Sequence, residues 1–199
     1  MTVPGLVPPV ADEREALLGY LAQQRYVLRL TAYGLTDDQA RQAPSASPLT
    51  IGGLIKHVAS AERGWIDTVL GVPRKPLEEA SADYATDFVM GPDETLAQVL
   101  ALYDDAAART DAVVASIPDL GQAVPVPFGR DAPWLPRDVE SWSVRWVLLH
   151  LIEETARHAG HADIVRESLD GATAFPLLAA AEGMSTSWMK PWVPAEKRP

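Results

Sequence analysis

Apolar side chains recur at alternating spacings of three and four residues in four long segments of this chain. Such a period is typical of an amphipathic α-helix that buries one face. The segments span about residues 12–33, 50–70, 93–117 and 141–169. Gly34, Gly71 and Pro118 follow the first three, and both residue types are common just past the end of a helix. The pattern predicts an all-α fold, a four-helix bundle.

Long stretches without a helical period separate these segments. Residues 71–92 contain three prolines, and residues 118–140 contain five, with a short strand pattern at Val124 to Phe128. Loops of this length in a compact domain are uncommon unless they have a function. We expect the second loop, with Trp134, to cross one end of the bundle. Long crossover loops also argue against a simple up-down-up-down order.

The 199 residues fit one domain, residues 1–199, with a bundle core of about 12–171 and a C-terminal extension of 172–199. Trp188 and Trp192 in the extension are expected to pack back onto the bundle. The N-terminal residues lack the basic start and apolar block of a secretory signal, so the sequence favours a cytoplasmic protein.

The formal net charge is -10, and the chain has no cysteine. The negative charge works against binding to nucleic acid or to an anionic membrane, where Lys and Arg supply most of the affinity. The absence of cysteine excludes disulfides, thiolate metal sites and cysteine nucleophiles. Any thiol chemistry would therefore use a thiol carried by a ligand.

Ionisable side chains interrupt the core-facing row of the fourth helix, which runs Val147, Leu151, Glu154, His158, His161 and Val165. A buried carboxylate beside two imidazoles is costly unless the groups are paired or bind a cation. Glu154 and His158 lie one turn apart on one face, so both can reach one ion. A divalent metal is the leading explanation.

The third ligand must come from another helix, and His57 is the only histidine outside the fourth helix. It lies beside the apolar stripe of the second helix. Two histidines and one carboxylate leave coordination positions open, as expected for a reactive metal rather than a structural one.

Other polar residues of the fourth helix have weaker predicted roles. His161 lies two turns beyond Glu154, a rise of about 10 Å, so we expect it in the wall of the site as the candidate catalytic residue that handles a proton. His150 is expected to hydrogen-bond to Glu154. Arg157 borders the site and is the candidate contact for an anionic part of the substrate or cosubstrate. Trp65, Trp142 and Trp146 are expected to be core or interface aromatics.

Two motifs, GGLIKHVASAERGW and WSVRWVLLHLIEETARHAGHADIVRE, resemble the DinB-like superfamily of helical-bundle metalloproteins. The resemblance extends from the first helix to about Gly171. The superfamily includes mycothiol-dependent maleylpyruvate isomerase and mycothiol or bacillithiol S-transferases. Their divalent metal, commonly zinc or nickel, is held by a histidine of the second helix and two residues one turn apart on the last bundle helix.

The resemblance assigns these ligand roles to His57, Glu154 and His158, and it implies a homodimer. It also implies a metal-dependent transferase that activates a low-molecular-weight thiol of the mycothiol type for attack on an electrophilic small molecule. Two alternatives stay open: a metal-dependent hydrolase, and a non-catalytic metal-binding stress-response protein. An open coordination position would favour catalysis, and a closed four-ligand shell that includes His161 would favour the non-catalytic alternative.

Overall fold

The computed structural model describes residues 5–127 and 139–194. The described residues form seven helices and one two-stranded sheet. In chain order these are α1 (Glu13–Leu30), α2 (Asp37–Ala40), α3 (Ile51–Val69), α4 (Leu77–Asp87), α5 (Leu96–Ser116), β1 (Ala123–Pro125), β2 (Ser141–Ser143), α6 (Val144–Asp170) and α7 (Ala174–Ala181). The long helices α1, α3, α5 and α6 correspond to the four predicted segments, so the all-α prediction is confirmed.

A polar side chain just before each long helix determines where the helix begins. Asp12, Thr50 and Ser143 each accept a hydrogen bond from a backbone N–H in the first turn, and Thr95 takes part in a capping box. These contacts satisfy N–H groups that have no partner within the helix. Gly171 ends α6 with φ 74°, a left-handed conformation that glycine adopts without a Cβ clash.

Contacts at both ends show that α1 and α6 run parallel. Glu13 at the start of α1 pairs with Arg145 at the start of α6. Near the other end, the guanidinium of Arg166 donates to the backbone carbonyl of Thr31, just past α1. The two helices therefore begin at the same end of the bundle.

Helices α3 and α5 also run parallel to each other, in the direction opposite to α1. Lys56 pairs with Glu94 near the starts of α3 and α5, and Asp67 pairs with Arg109 farther along both helices. Arg29, at the end of α1, pairs with Asp104 in the first half of α5. The order of directions is thus up-down-down-up, and the expectation that the helices would not simply alternate is correct.

Two consecutive parallel helices need a connection that returns along the bundle, and residues 70–95 provide it. The sequence predicted a loop here, but the segment contains helix α4, Leu77–Asp87. The prediction missed α4 because the sequence LEEASADYATD has few apolar residues and no clear helical stripe. The helix packs against α3, and this contact places its end beside the candidate site.

The second long connection joins α5 to α6. Its described parts include β1, which pairs antiparallel with β2 so that Val124 lies opposite Trp142. The predicted strand at Val124 to Phe128 is thus present but shorter. Trp134, expected to cross the end of the bundle, lies outside the described residues.

The C-terminal extension adds α7 and packs against α1. Trp192 contacts the ring of Tyr33 and lies under the guanidinium of Arg166, so its predicted packing against the bundle is confirmed. The same prediction was wrong for Trp188, which is 71% exposed and contacts only the exposed ring of Phe175 among the aromatic contacts of the described residues. A tryptophan in the sequence does not by itself show whether the fold places another surface against its ring.

The core of the bundle contains a buried ion pair as well as apolar side chains. Arg25 of α1 and Glu62 of α3 are 7% and 1% exposed and lie 2.5 Å apart, and Arg25 also pairs with Asp111 of α5.

Among the helices of the described residues, none combines the length and apolar character needed to cross a bilayer.

Candidate metal centre

The candidate site lies between α3 and α6, which run antiparallel and pack side by side. His57 comes from the middle of α3, and Glu154 and His158 come from successive turns of α6. His57 and His158 are 2% and 9% exposed, and the Glu154 side chain is 23% exposed. The three groups thus form a mostly buried polar cluster with one partly open side.

The two imidazoles converge on one carboxylate oxygen. Oε1 of Glu154 lies 3.3 Å from Nε2 of His57 and 3.1 Å from Nε2 of His158. One ligand atom from each of the three residues lies within 4.8 Å of the others. Two imidazole nitrogens and one carboxylate oxygen form a donor set suited to zinc and related divalent metals, so these residues fit the implied metal.

The surroundings of Glu154 favour its ionised form. Hydrogen bonds from His158 and His57 lower the pKa of the Glu154 carboxyl well below its ordinary range, although partial burial opposes the shift. A carboxylate that stays ionised is ready to bind a cation without first losing a proton.

Two aromatic residues that the sequence did not single out surround His57. Phe88, directly after α4, stacks on the imidazole with a ring-centroid distance of 3.7 Å and an interplanar angle of 15°. Tyr84 of α4 meets the same ring edge-on at 5.2 Å. Burial raises the pKa of the Tyr84 phenol, and the nearby charges of Glu154 and Asp87 raise it further.

A sequence signal for Phe88 was present but did not identify it. Gly52 and Gly53 lie in the first turn of α3, and paired glycines often mark a close backbone approach. A Cβ on Gly53 would collide with the backbone carbonyl of Phe88, and one on Gly52 would crowd the side chain of Met90. The pair indicated that some segment packs there, but the sequence did not show which one.

His161 lies next to the cluster but is not part of it. Its ring centroid is 5.6 Å from that of His158, and the two rings are tilted by 55°. Its Nδ1 is buried and has no hydrogen-bond partner among the described residues. This placement agrees with the expected wall position, and the predicted catalytic role stays a prediction.

The predicted hydrogen bond from His150 to Glu154 is wrong. Nδ1 of His150 instead lies 3.5 Å from Oε2 of Glu153, and the ring stacks on Trp146 and meets Trp65 edge-on. His150 lies one helical turn before Glu154, but stacking on Trp146 turns its imidazole away from Glu154. The ring faces an aromatic cluster formed by Trp65, Trp142 and Trp146.

The remaining predicted residues lie outside the cluster. Trp65, Trp142 and Trp146 stack or tilt against one another, as expected of packing aromatics. Arg157 is exposed on α6. Its predicted contact with an anionic ligand group stays a prediction.

Comparisons with known proteins agree with this arrangement. A family model described as mycothiol-S-transferase (MST) matches residues 16–171. The chain is similar to the crystal structure of a conserved protein from Enterococcus faecalis, with a TM-score of 0.58 and 13% identity over 80% of this chain and 98% of that chain.

It is also similar to YfiT from Bacillus subtilis, described as a probable metal-dependent hydrolase with an unusual four-helix bundle topology. That likeness has a TM-score of 0.56 and 14% identity, and covers 89% of this chain and 92% of that chain. At these identities the two likenesses show the fold alone. No curated protein sequence matches. The predicted DinB-like four-helix bundle is confirmed.

Proposed function

The chain belongs to the mycothiol S-transferase family, and from this premise we propose that it is a metal-dependent transferase acting on a low-molecular-weight thiol. The thiol is of the mycothiol type, and its sulfur attacks an electrophilic small molecule. The observation that carries the proposal is the convergence of the two Nε2 atoms of His57 and His158 on Glu154.

In this proposal His57, Glu154 and His158 hold the metal. A bound divalent metal would supply Lewis acidity that lowers the pKa of a coordinated thiol toward neutrality. Three protein ligands leave room for that thiol, since catalytic sites of this kind keep a position open. The thiol must come from a cosubstrate because the chain contains no cysteine.

His161 is the proposed proton acceptor. In the transfer, the S–H bond breaks, the sulfur forms a bond to the electrophilic carbon, and the leaving group departs with the electron pair of its own bond. The proton moves to His161 and from there to solvent. The position of His161 beside His158 supports this role. Exposed Arg157 is proposed to contact an anionic group of a bound molecule at the rim.

The proposal is tested by loading the protein with zinc or nickel and measuring conjugation of mycothiol to a monobromobimane-type electrophile. We expect one metal per chain and thiol-dependent turnover that releases bromide. Removing any one of the three proposed ligands should abolish the binding of one metal per chain and lower the activity at least about 100-fold. The variants are His57→Ala, Glu154→Ala and His158→Ala. His161→Gln should keep the metal and lower kcat by about 100-fold.

His150→Gln is the matched control because His150 lies on the same helix but faces the aromatic cluster. It should keep both the metal and the activity. Full turnover by Glu154→Ala and His158→Ala would contradict the proposed chemistry.

A hydrolase is the second candidate, and the description of YfiT as a probable metal-dependent hydrolase favours it. The same three residues would hold a metal that activates water. Omitting the thiol separates the two functions, since a hydrolase would turn over esters or amides without it. Metal binding without turnover in either assay would favour the non-catalytic alternative.

This proposal has four further parts: the identity of the metal, the single-domain organisation, the homodimer and the cytoplasmic location. Zinc or nickel is the proposed metal, which elemental analysis of purified protein can identify. A homodimer of single-domain chains is proposed from the family resemblance, and light scattering can measure it. A cytoplasmic location is proposed from the sequence, and cell fractionation can test it.

A further inference from the structure

The imidazole of His57 differs from most metal-binding histidines in its contacts with protein groups. Such a histidine ordinarily donates its second ring N–H to a carboxylate, a backbone carbonyl or water, and this hydrogen bond fixes the plane of the ring. Nδ1 of His57 is buried and has no hydrogen-bond partner among the described residues. No side chain or backbone group of the described residues therefore orients this ring through Nδ1.

Aromatic packing surrounds the ring instead. Phe88 covers one face of His57 in a near-parallel stack, and Tyr84 and His158 each meet it edge-on. Phe88 also meets the ring of His158 at a centroid distance of 5.8 Å. Nδ1 of His158 likewise lacks a partner among the described residues, so Phe88 contacts both unsupported imidazoles.

The backbone on either side of Phe88 is held firmly against α3. The carbonyl of Phe88 packs on Gly53 at a distance that leaves no room for a Cβ. Lys56 donates a hydrogen bond to the carbonyl of Val89, and the hydroxyl of Ser60 donates one to Asp87. These contacts hold the chain before, at and after Phe88 against α3. They therefore limit how far the ring of Phe88 can move relative to His57, which lies on the same helix.

We propose that Phe88 is a positioning residue that holds the His57 ring in its metal-binding orientation, with Tyr84 in a supporting role. This inference rests on the proposed function, because it takes His57 to be a metal ligand. Stacking of Phe88 on the imidazole restricts rotation of the ring. Removing the ring of Phe88 leaves a more mobile imidazole, which binds the metal less tightly.

The test uses cobalt(II) in place of the native metal. Metal affinity is measured by competition with a chelator, and the coordination geometry is read from the visible absorption bands. Phe88→Leu keeps an apolar side chain but removes the flat ring, and we expect it to weaken cobalt binding by about 10- to 100-fold and to change the visible spectrum. Phe88→Tyr restores a stacking ring and should recover both the affinity and the spectrum.

Phe175→Leu is the matched control, because the same substitution then falls on an exposed ring of α7, outside the site. It should leave the cobalt affinity and spectrum unchanged. Tyr84→Leu provides a second variant in case Phe88→Leu does not fold. It should weaken cobalt binding by a smaller factor, about threefold to tenfold.

The outcomes separate this inference from the proposed function. If the unchanged protein binds cobalt and Phe88→Leu, properly folded by circular dichroism, binds it with equal affinity and the same spectrum, the inference is overturned and the proposed function stands. The same result for Tyr84→Leu would overturn it if Phe88→Leu is unfolded. If the unchanged protein binds no cobalt, the proposed function fails and this inference fails with it.

Discussion

The carboxylate of Glu154 has two structural roles at the scale of single residues. It is a proposed metal ligand, and without a metal it accepts hydrogen bonds from two imidazoles that would otherwise face each other across the site. Its lowered pKa shows that the folded protein favours the ionised form over the protonated one. The free energy of folding of the metal-free protein therefore depends on the charge of this side chain.

This dependence predicts how Glu154→Gln changes stability with pH. A group whose folded-state pKa is lowered stabilises the protein above its unfolded pKa, about 4.3 for a glutamate, and the stabilisation is lost as pH falls through the folded-state value. Metal-free Glu154→Gln should therefore be less stable at pH 7 by about 1–2 kcal/mol. The difference should shrink as the pH falls below 4. Urea unfolding of both proteins at several pH values measures it.

The matched control for this experiment is Glu153→Gln, which changes the neighbouring, 69% exposed side chain. Its effect on the free energy of unfolding should stay within about 0.5 kcal/mol. A difference between Glu154→Gln and the unchanged protein that grows as the pH falls below 4 would contradict the sign of the pKa shift.

At the scale of elements, the crossover segment determines what surrounds His57, the proposed metal ligand of α3. The first turn of α3 contains two glycines, and the chain after α4 returns to pack directly against them. This close approach places Phe88 against His57, one turn along α3. The start of α3 and the end of α4 therefore act as one structural unit.

Gly53→Ala should disrupt this unit. A Cβ at this position would collide with the carbonyl of Phe88, so the segment after α4 must move. We expect the free energy of unfolding to fall by about 1–3 kcal/mol and the metal affinity to fall with it. Thermal or urea unfolding measures the first effect, and chelator competition measures the second.

Gly160→Ala is the control, since Gly160 also lies inside a long helix but has open space around it. That variant should gain about 0.5–1 kcal/mol, the usual difference between alanine and glycine in a helix. A gain of similar size for Gly53→Ala would show that the close packing does not exist.

At the scale of the whole molecule, a buried ion pair links helices of opposite direction. Arg25 and Glu62 join α1 to α3, and Arg25 also contacts α5 through Asp111. Desolvation and attraction oppose each other in such a pair, so the pair by itself adds little net stability. Removing one partner leaves the other charge buried without compensation.

Glu62→Ala should therefore lower the free energy of unfolding by about 3–5 kcal/mol, as measured by urea denaturation. The double variant Arg25→Met, Glu62→Leu should recover most of this loss because it removes both charges and keeps an apolar core. Asp104→Ala breaks the exposed pair with Arg29 and should cost less than about 1 kcal/mol. A loss of less than about 1 kcal/mol for Glu62→Ala would show that the pair of Arg25 and Glu62 is not buried in solution.

Sequence reasoning was most successful where the physics is local. The helical period depends on neighbours within one turn, so it located the four bundle helices to within a few residues. The spacing of Glu154 and His158 likewise placed both side chains on one face of α6. The period of the first helix did not identify Arg25, which the structure buries in an ion pair with Glu62.

The sequence by itself determined the helices, the polar interruption of the core of α6 and the absence of any internal thiol. Only the tertiary structure decided the path of the crossover, the helix within it, the stacking of Phe88 on His57 and the turning of His150 toward the tryptophans. Each of these depends on contacts between residues far apart in the chain. Their energy comes from shape and packing at the point of contact, and no local spacing in the sequence encodes where that point lies.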